Sequence, residues 1–282
     1  MAQRVITGTL GGIVLLAVIL AGGIWYTLTV GLLVTLALLE YAELLKKQSF
    51  RPQTQLLVAS SLVMIAFLYI INQFAGSYQQ EALVKSERLI SLSLLLMFIS
   101  IAGNELLRGK SLEQGFYNVA INLFGAVYIG LMFAYILLLR YIPVENGMYA
   151  LFTILVTWAN DTTAFFIGTK FGKHKLSPRI SPKKSIEGSI GGLVGGWVIA
   201  VLLGFLYRRS LLPLLILGTL VVIAGQFGDL VESIIKRNIG VKDSGSFLPG
   251  HGGILDRFDS LLIAAPVAYY TVVYLFPYFK II

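Results

Sequence analysis

The chain has no cysteine, two histidines, eight prolines and few charges: Asp, Glu, Lys and Arg together make 13% of 282 residues. The absence of cysteine excludes disulfides, thiolate nucleophiles and Cys-ligated zinc or iron–sulfur centres. His174 and His251 are too far apart to form a His-x3-His metal pair. The charged fraction is about half that of a soluble domain. Against it stand 57% hydrophobic residues and a mean hydropathy of +0.82. A soluble fold of this length could not bury so much apolar surface, and low charge with high hydropathy is the reverse of a disordered composition. An all-α, polytopic integral membrane protein remains.

About 20 apolar residues cross ~30 Å of hydrocarbon as a helix. Nine such stretches are present: 5–22, 24–45, 56–75, 84–107, 116–139, 147–168, 188–207, 211–235 and 258–279. Gly22-Gly23 joins the first two as a tight hairpin. The fourth opens on Lys85, Glu87 and Arg88, which are expected to snorkel to the interface. The N-terminus resembles a signal peptide, but a second full span follows at once, so a first transmembrane helix is the simpler reading.

Basic residues mark the cytoplasmic side. With the N-terminus inside, 16 of the 22 Lys and Arg fall inside: Arg4, Lys46, Lys47, Arg51, Arg108, Lys110, six in 169–187 and four in 236–257. Lys85, Arg88, Arg140, Arg208, Arg209 and Lys280 fall outside. The formal charge of +8 is therefore a cytoplasmic excess, expected to meet lipid and anionic small molecules rather than nucleic acid. The chain divides into N-terminal scaffold helices, 1–145, and a C-terminal catalytic region, 146–282, which carries both dominant loops.

Acidic residues in or beside spans are costly and mark functional sites by default. Asp161 ends the sixth span, Asp229 and Glu232 end the eighth, and Asp256 and Asp259 open the ninth. Asp229, Glu232, Ser233 and Lys236 stand at i, i+3, i+4 and i+7, one helix face. Carboxylates at one membrane depth beside cationic loops suit a divalent cation and a polyphosphate together, because Mg²⁺ combines one or two carboxylates with substrate phosphates. The competing reading is helix-end acids paired with nearby Lys and Arg.

The loop 236–257 is glycine-rich: Gly240, Gly245, Gly250, Gly252 and Gly253 allow close backbone approach to a ligand. Gly252-Gly253 lead into the ninth span, whose N-terminus is expected to offer free N–H groups to an anion. With Lys236, Arg237, Lys242, His251 and Arg257 this reads as a phosphate cradle, though no Walker A string occurs. The loop 169–187 is stiffened by Ser177-Pro178 and Ser181-Pro182, which suits placing Lys183, Lys184 and Ser185 on a substrate. An ordinary topogenic loop is its bland alternative, and His174 reads as a surface residue. Gly188, Gly192 and Gly196, with Gly191 and Gly195, form small-xxx-small stripes for helix packing or a homodimer seam.

These residues resemble a known family. The stretch 233–259 runs Ser-Ile-Ile-Lys-Arg-x4-Lys-Asp-x-Gly-x2-Leu-Pro-Gly-His-Gly-Gly-Ile-x-Asp-Arg-Phe-Asp. It closely resembles the signature of the phosphatidate cytidylyltransferase (CDP-diacylglycerol synthase) family. The likeness extends to Gly228–Ser233, Trp158-x2-Asp161-Thr162, Phe171–Leu176 and Ile180-Ser181-Pro182-Lys183-Lys184-Ser185-x-Glu187-Gly188. It covers roughly 155–265, and the N-terminal half matches only in being polytopic. The family commonly has Thr where Ser185 stands, a change that keeps the hydroxyl.

The resemblance implies CMP transfer from CTP to phosphatidic acid, Mg²⁺ dependence and residence in a bacterial cytoplasmic membrane with the active site facing the cytoplasm. From it, metal binding is expected at Asp229 and Asp256, with a monovalent cation such as K⁺ sharing the site. Substrate-phosphate contacts are expected from Lys236, Arg237, Lys242, His251 and Arg257. Asp259 and Glu232 join the metal candidates. Lys183, Lys184, Ser185, Asp161, Ser233, Gly252 and Gly253 are the substrate-binding candidates. An ion-coupled transporter would place acids near the midplane in both halves, and an enzyme attaching an alcohol to CDP-diacylglycerol would show Asp-Gly-x2-Ala-Arg; neither pattern is present.

Overall fold

The computed structural model describes residues 2–76, 78–107, 112–143, 147–245 and 252–278. His251, with the rest of 246–251, lies outside the described residues, as do Arg108, Lys110 and Lys280. Among the described residues eight helices are long and apolar enough to cross a membrane. The remaining expected span falls in α1, Ala2–Ala21, with an apolar stretch at Gly11–Ala21. The chain forms two compact units: 1–143 with 243–257, and 144–242 with 258–282.

The first unit holds α1, α2 (Gly23–Lys47), α3 (Thr54–Gln73), α4 (Gln79–Leu107), α5 (Leu112–Gly125) and α6 (Met132–Tyr141). A π-helical stretch, Ala126–Leu131, joins α5 to α6. α4 begins earlier than its apolar run predicts, and in that first stretch Lys85 pairs with Glu81 one turn back at 2.8 Å. Two buried tyrosines of the unit bond to backbone carbonyls, which satisfies their hydroxyls where no water competes. Tyr26 donates to the Ile136 carbonyl at 2.7 Å, and Tyr41 donates to that of Ile121 at 2.9 Å. Gly125 lets Tyr41 approach: a Cβ there would lie 2.6 Å from the ring.

The second unit holds α7 (Met148–Phe171), β1 (Lys175–Ser177), β2 (Ser181–Ser185), α8 (Ile186–Leu206) and α9 (Leu211–Ile239). It also holds most of α10 (Leu255–Tyr270), a π-helical stretch Thr271–Leu275 and α11 (Phe276–Tyr278). The glycine stripes of α8 are spent inside this unit. A Cβ at Gly188 would meet the Ala164 carbonyl at 2.8 Å, at Gly191 the Ile167 side chain at 2.5 Å, and at Gly196 the Val222 side chain at 2.6 Å. Gly192 packs on Asn160 and Gly195 on Thr163. The stripes therefore seat α8 on α7 and α9, and are not a dimer seam.

Both expected loops are shorter than their charge distribution suggests. α7 runs on to Phe171, and 175–185 is an antiparallel hairpin pairing Lys175 with Ser185 and Ser177 with Ser181. α9 continues to Ile239 and stops at Gly240, whose φ of 77° is the left-handed conformation a helix C-cap favours. Lys236 and Arg237 thus stand on a helix. Charged residues extend a helix past the apolar run because solvated helix ends tolerate them, and Lys and Arg complement a C-terminal dipole.

Candidate active site

In the second unit a cavity of about 310 Å³ opens among α7, the hairpin, α8 and α9. Its wall combines polar residues, Asn160, Asp161, Lys183, Lys184, Ser185, Ser189, Gln226 and Asp229, with apolar ones, Ala164, Phe165 and Leu176. The hairpin aims the two lysines. Ser185 ends β2 in an extended conformation and caps α8 by accepting the Gly188 N–H at 3.1 Å. Glu187 holds the hairpin's base, accepting from the N–H groups of Lys173 at 3.0 Å and His174 at 3.2 Å and contacting His174 Nδ1 at 2.6 Å. His174 is exposed, as expected of a surface residue, and it also fastens the base of the hairpin.

Lys184 forms an ion pair with Asp229 across the cavity wall. One turn along α9, Lys236 pairs with Glu232, which is fully buried. Ser233 Oγ lies 3.4 Å from Asp229 Oδ1, so the face read from the i, i+3, i+4, i+7 spacing is present. Asp161, Asp229 and Glu232 all lie close enough to Asp259 to interact with it electrostatically. The fit of α10 on α9 that puts Asp259 there depends on Gly228, where a Cβ would meet the Asp259 carbonyl at 2.5 Å. Arg237 donates to the Val241 carbonyl at 3.0 Å, closing the end of α9, while Lys183 and Lys242 are exposed.

A network invisible in the sequence underlies the cavity. Gln226 Nε2 donates to Asn160 Oδ1 at 2.9 Å and to the Ser189 carbonyl at 3.0 Å, and Ser189 Oγ donates to Gln226 Oε1. Asn160 Nδ2 then donates to Asp161 Oδ1 at 2.9 Å, which orients that carboxylate. No periodicity marks Asn160, Ser189 and Gln226 as a group; only their polarity within apolar spans could have drawn attention to them.

In the first unit, the start of α10 differs from expectation. Gly253 N–H is bonded to Asp256 Oδ2 at 2.8 Å, and the Ile254 and Leu255 N–H groups to Glu40 at 2.8 and 2.9 Å. The N–H groups expected to receive a phosphate are taken by the protein's own carboxylates. Asp256 Oδ2 also accepts from Ser244 N–H and Ser244 Oγ, both at 2.9 Å. Gly252 has φ of 80°, and a Cβ there would lie 2.7 Å from Asp256 Oδ2, so only glycine suits that position. Arg257 is exposed. Glu40, on α2, is the residue most plainly missed in the sequence; its one signal was a carboxylate inside an apolar span.

Apolar helices around an ion-paired, largely apolar cavity define an integral membrane enzyme. The cytidylyltransferase family matches residues 2–275, and the chain belongs to that family. It is 33% identical over 275 residues to a phosphatidate cytidylyltransferase of Bacillus subtilis, covering 96% of this chain and 97% of that protein. It is 37% identical over 270 residues to one from Staphylococcus haemolyticus, and 36% over 269 residues to one from Staphylococcus saprophyticus. Each of these two covers 95% of this chain and 97% of the relative. The likeness thus extends through the N-terminal helices, which the motifs alone did not reach. Apolar spans and bacterial relatives make this a bacterial integral membrane protein.

Proposed function

We propose that the chain is a phosphatidate cytidylyltransferase, transferring CMP from CTP to phosphatidic acid to give CDP-diacylglycerol and pyrophosphate. The observation that carries this reading is the largely apolar cavity with the Lys184–Asp229 ion pair on its wall. It occurs in a chain aligned almost end to end with proteins of that name. A phosphate oxygen of the lipid attacks the α-phosphorus of CTP, a new P–O–P bond forms, and the α–β bond breaks to release pyrophosphate. A phosphate monoester is largely dianionic near neutral pH, so no strong general base is required. Positioning and charge neutralisation dominate such a transfer.

Lys183 and Lys184 supply positive charge at the cavity, and Leu176, Ala164 and Phe165 suit the lipid's glycerol and upper acyl carbons. The Lys184–Asp229 pair neutralises both groups until substrate arrives; a phosphate then takes over the ammonium. Among the described residues no three His, Asp or Glu side chains form a metal cage by themselves. Mg²⁺ does not require such a cage: it takes one or two carboxylates and completes its shell with phosphate oxygens and water. Asp229 would hold it, with Glu232 or Asp259 of the same unit as a second carboxylate and a monovalent cation such as K⁺ as a companion; Asp256 is proposed separately as a metal ligand. Bound there, Mg²⁺ would offset charge on the transferring phosphate. The cavity faces the cytoplasm in this proposal, because the basic loops lie on its side.

The test is a radiolabelled CTP assay with phosphatidate vesicles, with Mg²⁺ and with chelator. Labelled lipid product dependent on both phosphatidate and Mg²⁺ is expected. Its absence from folded protein would refute the assigned reaction, and full product under chelator would refute the metal.

A further inference from the structure

We propose that Glu40 is a positioning residue for this reaction, clamping from α2 the backbone of residues 244–245 and 252–255 and thereby fixing Asp256. The proposal rests on the reaction assigned above. Glu40 is buried, 9% exposed, within an apolar span. A carboxylate there is costly unless its charge is met by directed donors. The donors come from more than 200 residues away in sequence: Ile254 N–H at 2.8 Å to Oε1 and Leu255 N–H at 2.9 Å to Oε2. Leu255 opens α10 and Ile254 directly precedes it, at a helix start where N–H groups are unpaired within the helix and the dipole favours an anion.

Ser244 links this carboxylate to Asp256. Its Oγ lies within hydrogen-bond distance of both, 2.9 Å from Asp256 Oδ2 and 3.3 Å from Glu40 Oε2. Four backbone N–H groups, of Ser244, Gly253, Ile254 and Leu255, are thus divided between two carboxylates. Gly245 and Gly253 serve the same contact. A Cβ at Gly245 would lie 2.7 Å from Glu40 Oε1, and one at Gly253 would lie 2.7 Å from its Cδ. Close backbone approach is present here, but toward Glu40. Charge-assisted bonds of this kind are roughly twice as strong as neutral ones, and they hold in one geometry the backbone that carries Asp256.

Glu40→Ala and Glu40→Gln in the purified full chain test the clamp by two readouts. Hydrogen exchange followed by mass spectrometry reads the amides of 253–255 directly. They are expected to exchange at least roughly tenfold faster in Glu40→Ala, with Glu40→Gln intermediate because its amide oxygen still accepts one N–H. Peptides within 148–239 should exchange as in wild type, which shows that the variants are folded. CDP-diacylglycerol formation should fall about 100-fold in Glu40→Ala, with partial recovery in Glu40→Gln. Unchanged exchange at 253–255, or wild-type turnover by Glu40→Ala, would overturn the proposal. A wild-type chain that makes no CDP-diacylglycerol would overturn the assigned reaction and with it the positioning role, while the exchange data would still report whether the clamp exists.

Discussion

Lys184 on β2 and Asp229 on α9 form an ion pair on the wall of the cavity, with side chains 26% and 30% exposed. A pair this accessible adds little to stability. Its value lies in keeping one cation and one anion beside a space that can hold a substrate phosphate.

The two partners should therefore fail differently. Lys184→Ala is expected to raise KM about tenfold with little change in Tm. Asp229→Asn is expected to lower kcat by about 10²–10³. Steady-state kinetics at varied CTP and phosphatidate separate the two, and a wild-type kcat/KM in Lys184→Ala would return the hairpin to a topogenic role.

Asp256 accepts three hydrogen bonds through one oxygen. Asp256→Asn keeps its size but removes the charge. It should insert into membranes at wild-type yield and form no detectable CDP-diacylglycerol. Substantial Mg²⁺-dependent turnover would remove Asp256 from the chemistry.

Gly192 faces Asn160, whose Cγ would lie 3.1 Å from a Cβ added there. Gly192→Ala should push Asn160 off Gln226 and leave buried amide groups poorly paired, costing about 1–3 kcal/mol. Thermal unfolding in detergent should show a lower Tm. An unchanged Tm would mean that α7 and α8 separate without strain.

A chain with no cysteine permits clean single-thiol labelling. Arg179→Cys at the exposed hairpin and Arg209→Cys in the α8–α9 connection should react with an impermeant maleimide from opposite faces of the membrane, the hairpin from the cytoplasm. Labelling of both from one face would refute the assigned topology.

Apolar runs of about 20 residues are a one-dimensional property, so span positions were readable without a fold. So was the α9 face carrying Asp229, Glu232, Ser233 and Lys236, because helical period alone brings those side chains together. The hairpin at 175–185 was not readable: its short strands carry charges and prolines, and the sequence pattern there resembles any basic loop.

Composition and periodicity by themselves determined a polytopic helical membrane protein whose cations gather beside two sets of carboxylates. The tertiary structure alone decided which carboxylate meets which donor. Gln226 finds Asn160 across 66 residues, and Glu40 finds Ile254 across 214. Such contacts follow from how whole helices pack, and no local repeat encodes them. In an apolar interior each buried polar group must still find a partner, and here the partners come from distant segments of the chain.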